Sequence, residues 1–193
     1  MATMIGNGLD VVAFLKEQHQ QIKALFREVR AATGDTRSEN FHALRRLLAV
    51  HETAEEEIVH PAARKSLANG EAIVEVRLQE EKKAKVALTA LENLALDSHE
   101  FEAQLTLLEA DVIAHAEAEE RQEFEPLGES LDSERLERMR KAVVLAERVA
   151  PTRPHPGVES QSANLLAGPF AAMVDRVRDA MTGKGSDVDQ GLS

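Results

Sequence analysis

Two stretches of this chain carry one pattern. His51-Glu52-Thr53-Ala54-Glu55-Glu56 and His115-Ala116-Glu117-Ala118-Glu119-Glu120 both read H-x-x-x-E-E, and a proline follows each, Pro61 and Pro126. Residues four apart on a helix lie one turn above each other on the same face, so each copy aims an imidazole and a carboxylate at one point. A lone HxxxE is most often a solvated acidic face. Here both copies continue an apolar stripe: Phe41, Leu44 and Leu48 lead into His51, Glu55 and Ile58, while Phe101, Leu105, Leu108 and Val112 lead into His115 and Glu119. Polar groups placed in an apolar seam are costly unless something binds them. Two such pairs on facing helices describe a dinuclear metal site, which restricts the fold to one that brings those helices face to face.

The rest of the composition agrees with a helical bundle. Ala, Leu, Glu, Lys and Arg dominate, Tyr and Trp are absent, and 193 residues suffice for one domain with a substantial core. The absence of cysteine excludes disulfides, thiol catalysis and iron–sulfur clusters, and leaves His and carboxylate as ligands. No apolar run approaches the roughly 20 residues a bilayer needs, and residues 1–10 lack the charged start and apolar middle of an export signal. The expected location is therefore the cytoplasm, with no membrane partner. A formal net charge of -11 argues against a nucleic-acid partner, whose phosphates would meet the protein's own field.

The periodicity predicts an all-α fold: an up-down-up-down four-helix bundle, an added fifth helix, and a C-terminal amphipathic helix after a Pro-rich linker. Helix one starts at the N-cap Asp10, carries Val12, Leu15, His19, Ile22, Phe26 and Val29 on one face, and stops at Thr33-Gly34-Asp35. Thr36 with Glu39 reads as a capping box for helix two, which fades through Pro61 towards Asn69-Gly70. Helix three carries Val74, Leu78, Leu88 and Leu91 inward and ends near Leu96; Asp97 with Glu100 caps helix four, which stops by Pro126. A shorter fifth helix after Leu131-Asp132-Ser133 covers one face of the bundle. The domain reading is a lead over 1–9, the bundle with its covering helix over 10–149, the linker and amphipathic helix over 150–182, and a disordered tail over 183–193. Two readings of the amphipathic helix stay open: it docks back on the bundle, or it forms a homodimer or partner surface.

Height along the bundle selects the inward polar residues. His19 and His51 are each about thirteen residues from the turn between helices one and two, roughly 20 Å at 1.5 Å per residue. Glu81 and His115 are each about fifteen to seventeen residues from the Leu96-Asp97 turn, roughly 22–26 Å. On helix three Glu81 lies within about 20° of the Leu88 direction, whereas Lys82 is about 120° away. The expected metal layer is His19, His51, Glu55, Glu81, His115 and Glu119, with Glu55 and Glu119 placed to bridge. His42, His60 and His99 fall about 160–180° from the ligand faces and are expected at the surface; His155 sits in the linker. Mixed N/O ligands in a bundle suit iron first, with manganese or zinc as alternatives.

From about Asp10 to Pro126 the chain resembles the hemerythrin-like, HHE cation-binding family. The resemblance rests on His19 within Phe14-Leu15-Lys16-Glu17-Gln18-His19, on His51/Glu55 with Pro61 following, and on His115/Glu119. Arg153-Pro154-His155-Pro156 with Gly168-Pro169-Phe170 also looks like the tail of some actinobacterial members. The resemblance implies two iron ions, oxo- or hydroxo-bridged, and a small ligand such as dioxygen, peroxide or nitric oxide. It departs at helix three, where the family places histidine and this chain has Glu80-Glu81-Lys82-Lys83. Glu81 takes that place by position only. A carboxylate there adds negative charge at the metals and favours the ferric state, which moves the expectation from oxygen carriage towards peroxide-consuming (catalase- or peroxidase-like) activity. The alternatives are a non-enzymatic iron or redox sensor signalling through its C-terminal helix, and a metal-free bundle.

Overall fold

Asp10 sets the start of the fold in the computed structural model, which describes residues 10–149. The lead over 1–9, the linker, the amphipathic helix and the tail lie outside the described residues. The Asp10 carboxylate accepts from the Ala13 N–H at 2.8 Å, filling one of the donors that a helix start leaves open. Helix α1 then runs Val11–Ala31 and buries Leu15, His19, Ile22, Phe26 and Val29 on one face. Helix α2, Gly34–Ala54, begins two residues ahead of the expected capping box. Gly34 reverses the chain at a φ of 57°, a region that disfavours a Cβ, so glycine and not Thr36 makes this corner.

Both rods that carry the repeated motif contain a wider turn. Helix α2 passes into a π-helical turn, Glu55–Val59, and on into α3, His60–Ser66. Helix α4 is Gly70–Leu91. Helix α5, His99–Glu119, passes into a second π-helical turn, Glu120–Phe124, and then α6, Glu125–Ser130. In these turns the His60 N–H bonds the Glu55 carbonyl and the Glu125 N–H bonds the Glu120 carbonyl, five residues back. Pro61 and Pro126 come immediately afterwards. A proline cannot donate, and its ring crowds the carbonyl four residues before it; a widened turn at that point relieves both demands. Two further boundaries differ from expectation: α4 stops at Leu91, and the α5 cap is Ser98, whose hydroxyl accepts from the Phe101 N–H at 3.1 Å, rather than Asp97.

The long rods run alternately up and down, with α1 on α2 and α4 on α5. Helix α7, Ser133–Val149, lies across α1 and α2 as the covering fifth helix. Its Leu136, Met139, Ala142 and Val143 close an apolar cluster with Val11, Leu15, Ile58, Phe124 and Leu127. A second cluster around Phe26, Phe41, Leu44, Leu88, Phe101 and Leu108 fills the other end. The polar layer is sandwiched between them. Each fully buried Leu or Phe contributes about 1.5–3 kcal/mol, so the two clusters together offset the several kcal/mol that buried carboxylates cost. Among the described residues no helix is long and apolar enough to cross a membrane.

Candidate metal centre

Three helices deliver the imidazoles, and in each the ring is held by its outer nitrogen. His19 on α1 donates from Nδ1 to Glu120 Oε1 at 2.9 Å, and its ring stacks on Phe124 with centroids 5.5 Å apart. His115 on α5 donates from Nδ1 to Glu80 Oε2 at 2.9 Å, and Arg77 Nη1 lies 3.2 Å from that oxygen. His51 on α2 donates from Nδ1 to Gln18 Oε1 at 2.8 Å, while the Gln18 amide donates onward to Glu147 Oε1 of α7 at 2.6 Å. Carboxylate and amide oxygens can only accept, so these contacts place a proton on each Nδ1 and turn each Nε2 inward. Against burial, Glu119 and Glu80 raise the His115 ring well above the usual histidine range, so in the metal-free chain its Nε2 holds a proton that a metal would displace. The Nε2 atoms of His19, His51 and His115 are buried without a hydrogen-bond partner.

The carboxylates answer them. Glu55 and Glu119 are fully buried, and neither oxygen of either one has a hydrogen-bond partner. Glu55 Oε1 is 3.2 Å from His51 Nε2; the two Glu119 oxygens are 3.3 and 3.4 Å from His115 Nε2 and His19 Nε2. These approaches fall within ion-pair range but are not aligned as hydrogen bonds, as expected of donors arranged around a shared point rather than towards each other. One ligand atom each from His19, His51, Glu55 and Glu119 lies within 4.8 Å of the other three, and the same holds for Glu81, His115 and Glu119. Glu119 belongs to both groups, and to a third with His60 and Glu123. All six residues expected in the layer are thus in the first two groups. Lys82 is exposed while Glu81 is buried. His42 and His99 are exposed as expected.

His60 is not. It is 1 % exposed, and its ring is caught between two carboxylates: Nε2 to Glu81 Oε1 at 2.7 Å and Nδ1 to Glu123 Oε1 at 2.8 Å. The expectation of a surface position assumed an unbroken 100° per residue. The π-helical turn before it inserts an extra residue and rotates everything downstream by roughly 100°, which swings His60 inward. The sequence did hold a signal in the intrahelical Pro61. Glu123, also fully buried with Oε2 unpartnered, was missed too, although it stands four residues after Glu119 on the same face.

The electrostatics are those of a frustrated layer. Burial, then Glu119 and Glu81, push the Glu55 carboxyl well above its usual range. Against burial, His115 and His19 hold Glu119 well below it. Burial and the neighbouring His19 lower His51 to about 3, so its ring is neutral and able to ligate. Against burial, the hydrogen bonds to Glu123 and Glu81 raise His60 to about 10, so both its nitrogens carry protons. Lys85 adds a cation at the edge, paired with Glu56 and lying 3.7 Å from Glu81 Oε2. The converging ring nitrogens and orphaned oxygens fit one or more divalent cations, which would remove the repulsion between the acids. Above the three histidines lies a cavity of about 240 Å³, walled by Ile22, Leu48 and Val112 and edged by the exposed Lys83 and Asp111.

A bundle with buried imidazole and carboxylate donors converging at its middle defines a cation-binding helical protein. The hemerythrin HHE cation-binding domain family matches residues 10–127. The chain belongs to that family, and is a metal-binding hemerythrin-like protein. Its fold is similar to the crystal structure of a hemerythrin HHE cation-binding domain-containing protein from Mycobacterium kansasii, at a TM-score of 0.65 and 22% identity over 86% of this chain and 98% of that one. No curated protein matches the chain in sequence.

Proposed function

We propose that the chain holds two iron ions on His19, His51, Glu55, Glu81, His115 and Glu119 and uses them to bind or reduce a small oxidant such as peroxide, dioxygen or nitric oxide. The observation that carries this reading is the set of three buried Nε2 atoms without partners, converging with unpartnered carboxylate oxygens beside a cavity. When bound, an iron pair supplies open coordination positions and two electrons. The chain supplies the rest. Glu120, Gln18 and Glu80 each accept from an Nδ1, so that the three Nε2 atoms face inward before metal arrives. Ile22, Leu48 and Val112 limit water above the histidines, and Lys83 and Asp111 stand at the rim through which a small ligand passes. Glu52 also lines the cavity, and burial raises its carboxyl to about 8, so it holds a proton there at neutral pH. The test is metal analysis of the freshly purified full chain, with an optical spectrum before and after peroxide and azide. Two irons per chain and an azide-sensitive spectrum are expected; a chain purified and reconstituted without iron would sink the reading.

A second reading, a sensor without turnover, is favoured by one contact. Gln18 joins His51 to Glu147 on α7, the helix that leads into residues 150–193. Peroxide turnover by the full chain would argue for the enzyme. No turnover, together with metal-dependent proteolysis of the C-terminal segment, would argue for the sensor.

A further inference from the structure

One arrangement serves four histidines of this bundle. In each, Nδ1 is held by an acceptor behind the ring: Glu120 for His19, Gln18 for His51, Glu80 for His115 and Glu123 for His60, at 2.8–2.9 Å. In each, Nε2 faces a carboxylate of the polar layer. Glu119 lies 3.4 Å from His19 and 3.3 Å from His115, Glu55 lies 3.2 Å from His51, and Glu81 lies 2.7 Å from His60. The contacts of His60 do not complete the pocket around it. Glu81 Oε2 and Glu123 Oε2 stay buried without a hydrogen-bond partner. One ligand atom each from His60, Glu119 and Glu123 lies within 4.8 Å of the other two. A histidine present only to balance these acids would leave the cost of those orphaned oxygens standing.

We propose that His60 is a metal ligand, a fourth imidazole that enters the centre through Nε2 beside Glu81, His115 and Glu119, while Glu123 holds its Nδ1. The inference rests on the two-iron reading and adds a seventh residue to its six. Helix α4 carries no histidine, so the rod beside it provides the imidazole. The π-helical turn at Glu55–Val59 makes this possible, because its extra residue turns His60 from the surface to the layer. Binding replaces the proton that Nε2 donates to Glu81, releases it to solvent and frees Glu81 Oε1. The two positions then match in kind. His19 and His51 serve one, His60 and His115 the other, and Glu55 and Glu119 stand between them.

The experiment is proton NMR of the full chain, labelled with 15N-histidine and loaded anaerobically with Fe2+, alongside metal analysis of the same sample. A histidine bound through Nε2 shows its Nδ1 proton shifted by the unpaired electrons outside the range of ordinary protein protons. Four such 15N-bound signals are expected. Three in a chain holding two irons would make His60 a hydrogen-bonded neighbour only, which overturns the inference and leaves the two-iron reading intact. One iron per chain would overturn both. His60→Gln should abolish one of the four signals and weaken one iron by about 100-fold, more than most changes behind a ligand cost; all four signals surviving in that variant would equally overturn the inference. Glu123→Gln should move one signal and leave the other three in place, and the count in the unaltered chain decides the matter even if neither variant folds.

Discussion

Glu55 shows how a residue can oppose the fold it sits in. Its carboxyl is fully buried, and burial with the charges of Glu119 and Glu81 raises its pKa. A raised carboxylate contributes stability that is present below its unfolded pKa and lost as pH climbs through the folded one. At neutral pH the metal-free chain therefore bears a penalty at this position. Glu55→Gln should raise the melting temperature of the metal-free protein by about 2–4 °C, and lower both its metal content and the stabilisation that metal brings. Calorimetry of the metal-free and loaded forms checks both signs; a metal-free variant less stable than its parent would contradict the argument. The neighbours on α4 make a second comparison. Glu81→Ala should remove about one metal per chain, since an orphaned oxygen faces the layer, whereas Lys82→Ala, on the exposed side, should leave metal content and spectrum unchanged. A spectrum that follows Lys82 and ignores Glu81 would end the assignment of the carboxylate.

Elements position these residues through a few tight contacts. The corner between α3 and α4 is the tightest: a Cβ on Gly70 would lie 2.2 Å from the Ala63 carbonyl oxygen and 2.8 Å from the Arg64 Cα, both backbone atoms. Nothing flexible can yield there. Gly70→Ala should push α4 away from α3, cost about 3 kcal/mol or more, and loosen Glu81 against His60. Urea unfolding and metal stoichiometry would report it; a stable variant with full metal content would mean that the rods separate without consequence. The π-helical turns matter at the same scale. Each starts at or just after a ligand-face glutamate and ends before a proline, so the extra residue falls below the polar layer. His51, Glu55, His115 and Glu119 keep their ordinary helical spacing, while His60 and Glu123 are turned underneath them.

Over the whole molecule, the polar layer is reached from outside by way of the covering helix. Glu147 of α7 accepts from Gln18, whose carbonyl oxygen accepts from His51. Burial raises the Glu147 carboxyl above its usual value, so its ionised form is disfavoured where α7 packs on α1. By the sign that applied to Glu55, this costs stability as pH rises through the raised value and nothing below the unfolded pKa. Glu147→Gln keeps a hydrogen-bonding group beside Gln18 and should raise the melting temperature by roughly 2 °C at pH 7 but not at pH 4. Equal effects at both pH values would mean that charge is not the cause. Much of this architecture is legible in the sequence, because helical periodicity is a local property. The stripes, the two H-x-x-x-E-E motifs, the common height of His19 with His51 and of Glu81 with His115, and the inward turn of Glu81 all follow from a fixed rise and rotation per residue. His60, Glu123 and the outer partners Gln18, Glu80 and Glu120 do not. The π-helical turns change the rotation by one residue, and a hydrogen bond between helices depends on how neighbouring rods are rotated against each other. The sequence by itself determined the helices and which face of each carries the donors; only the packing of those helices decided which donors meet, because a fixed local rotation says nothing about the neighbour across the core.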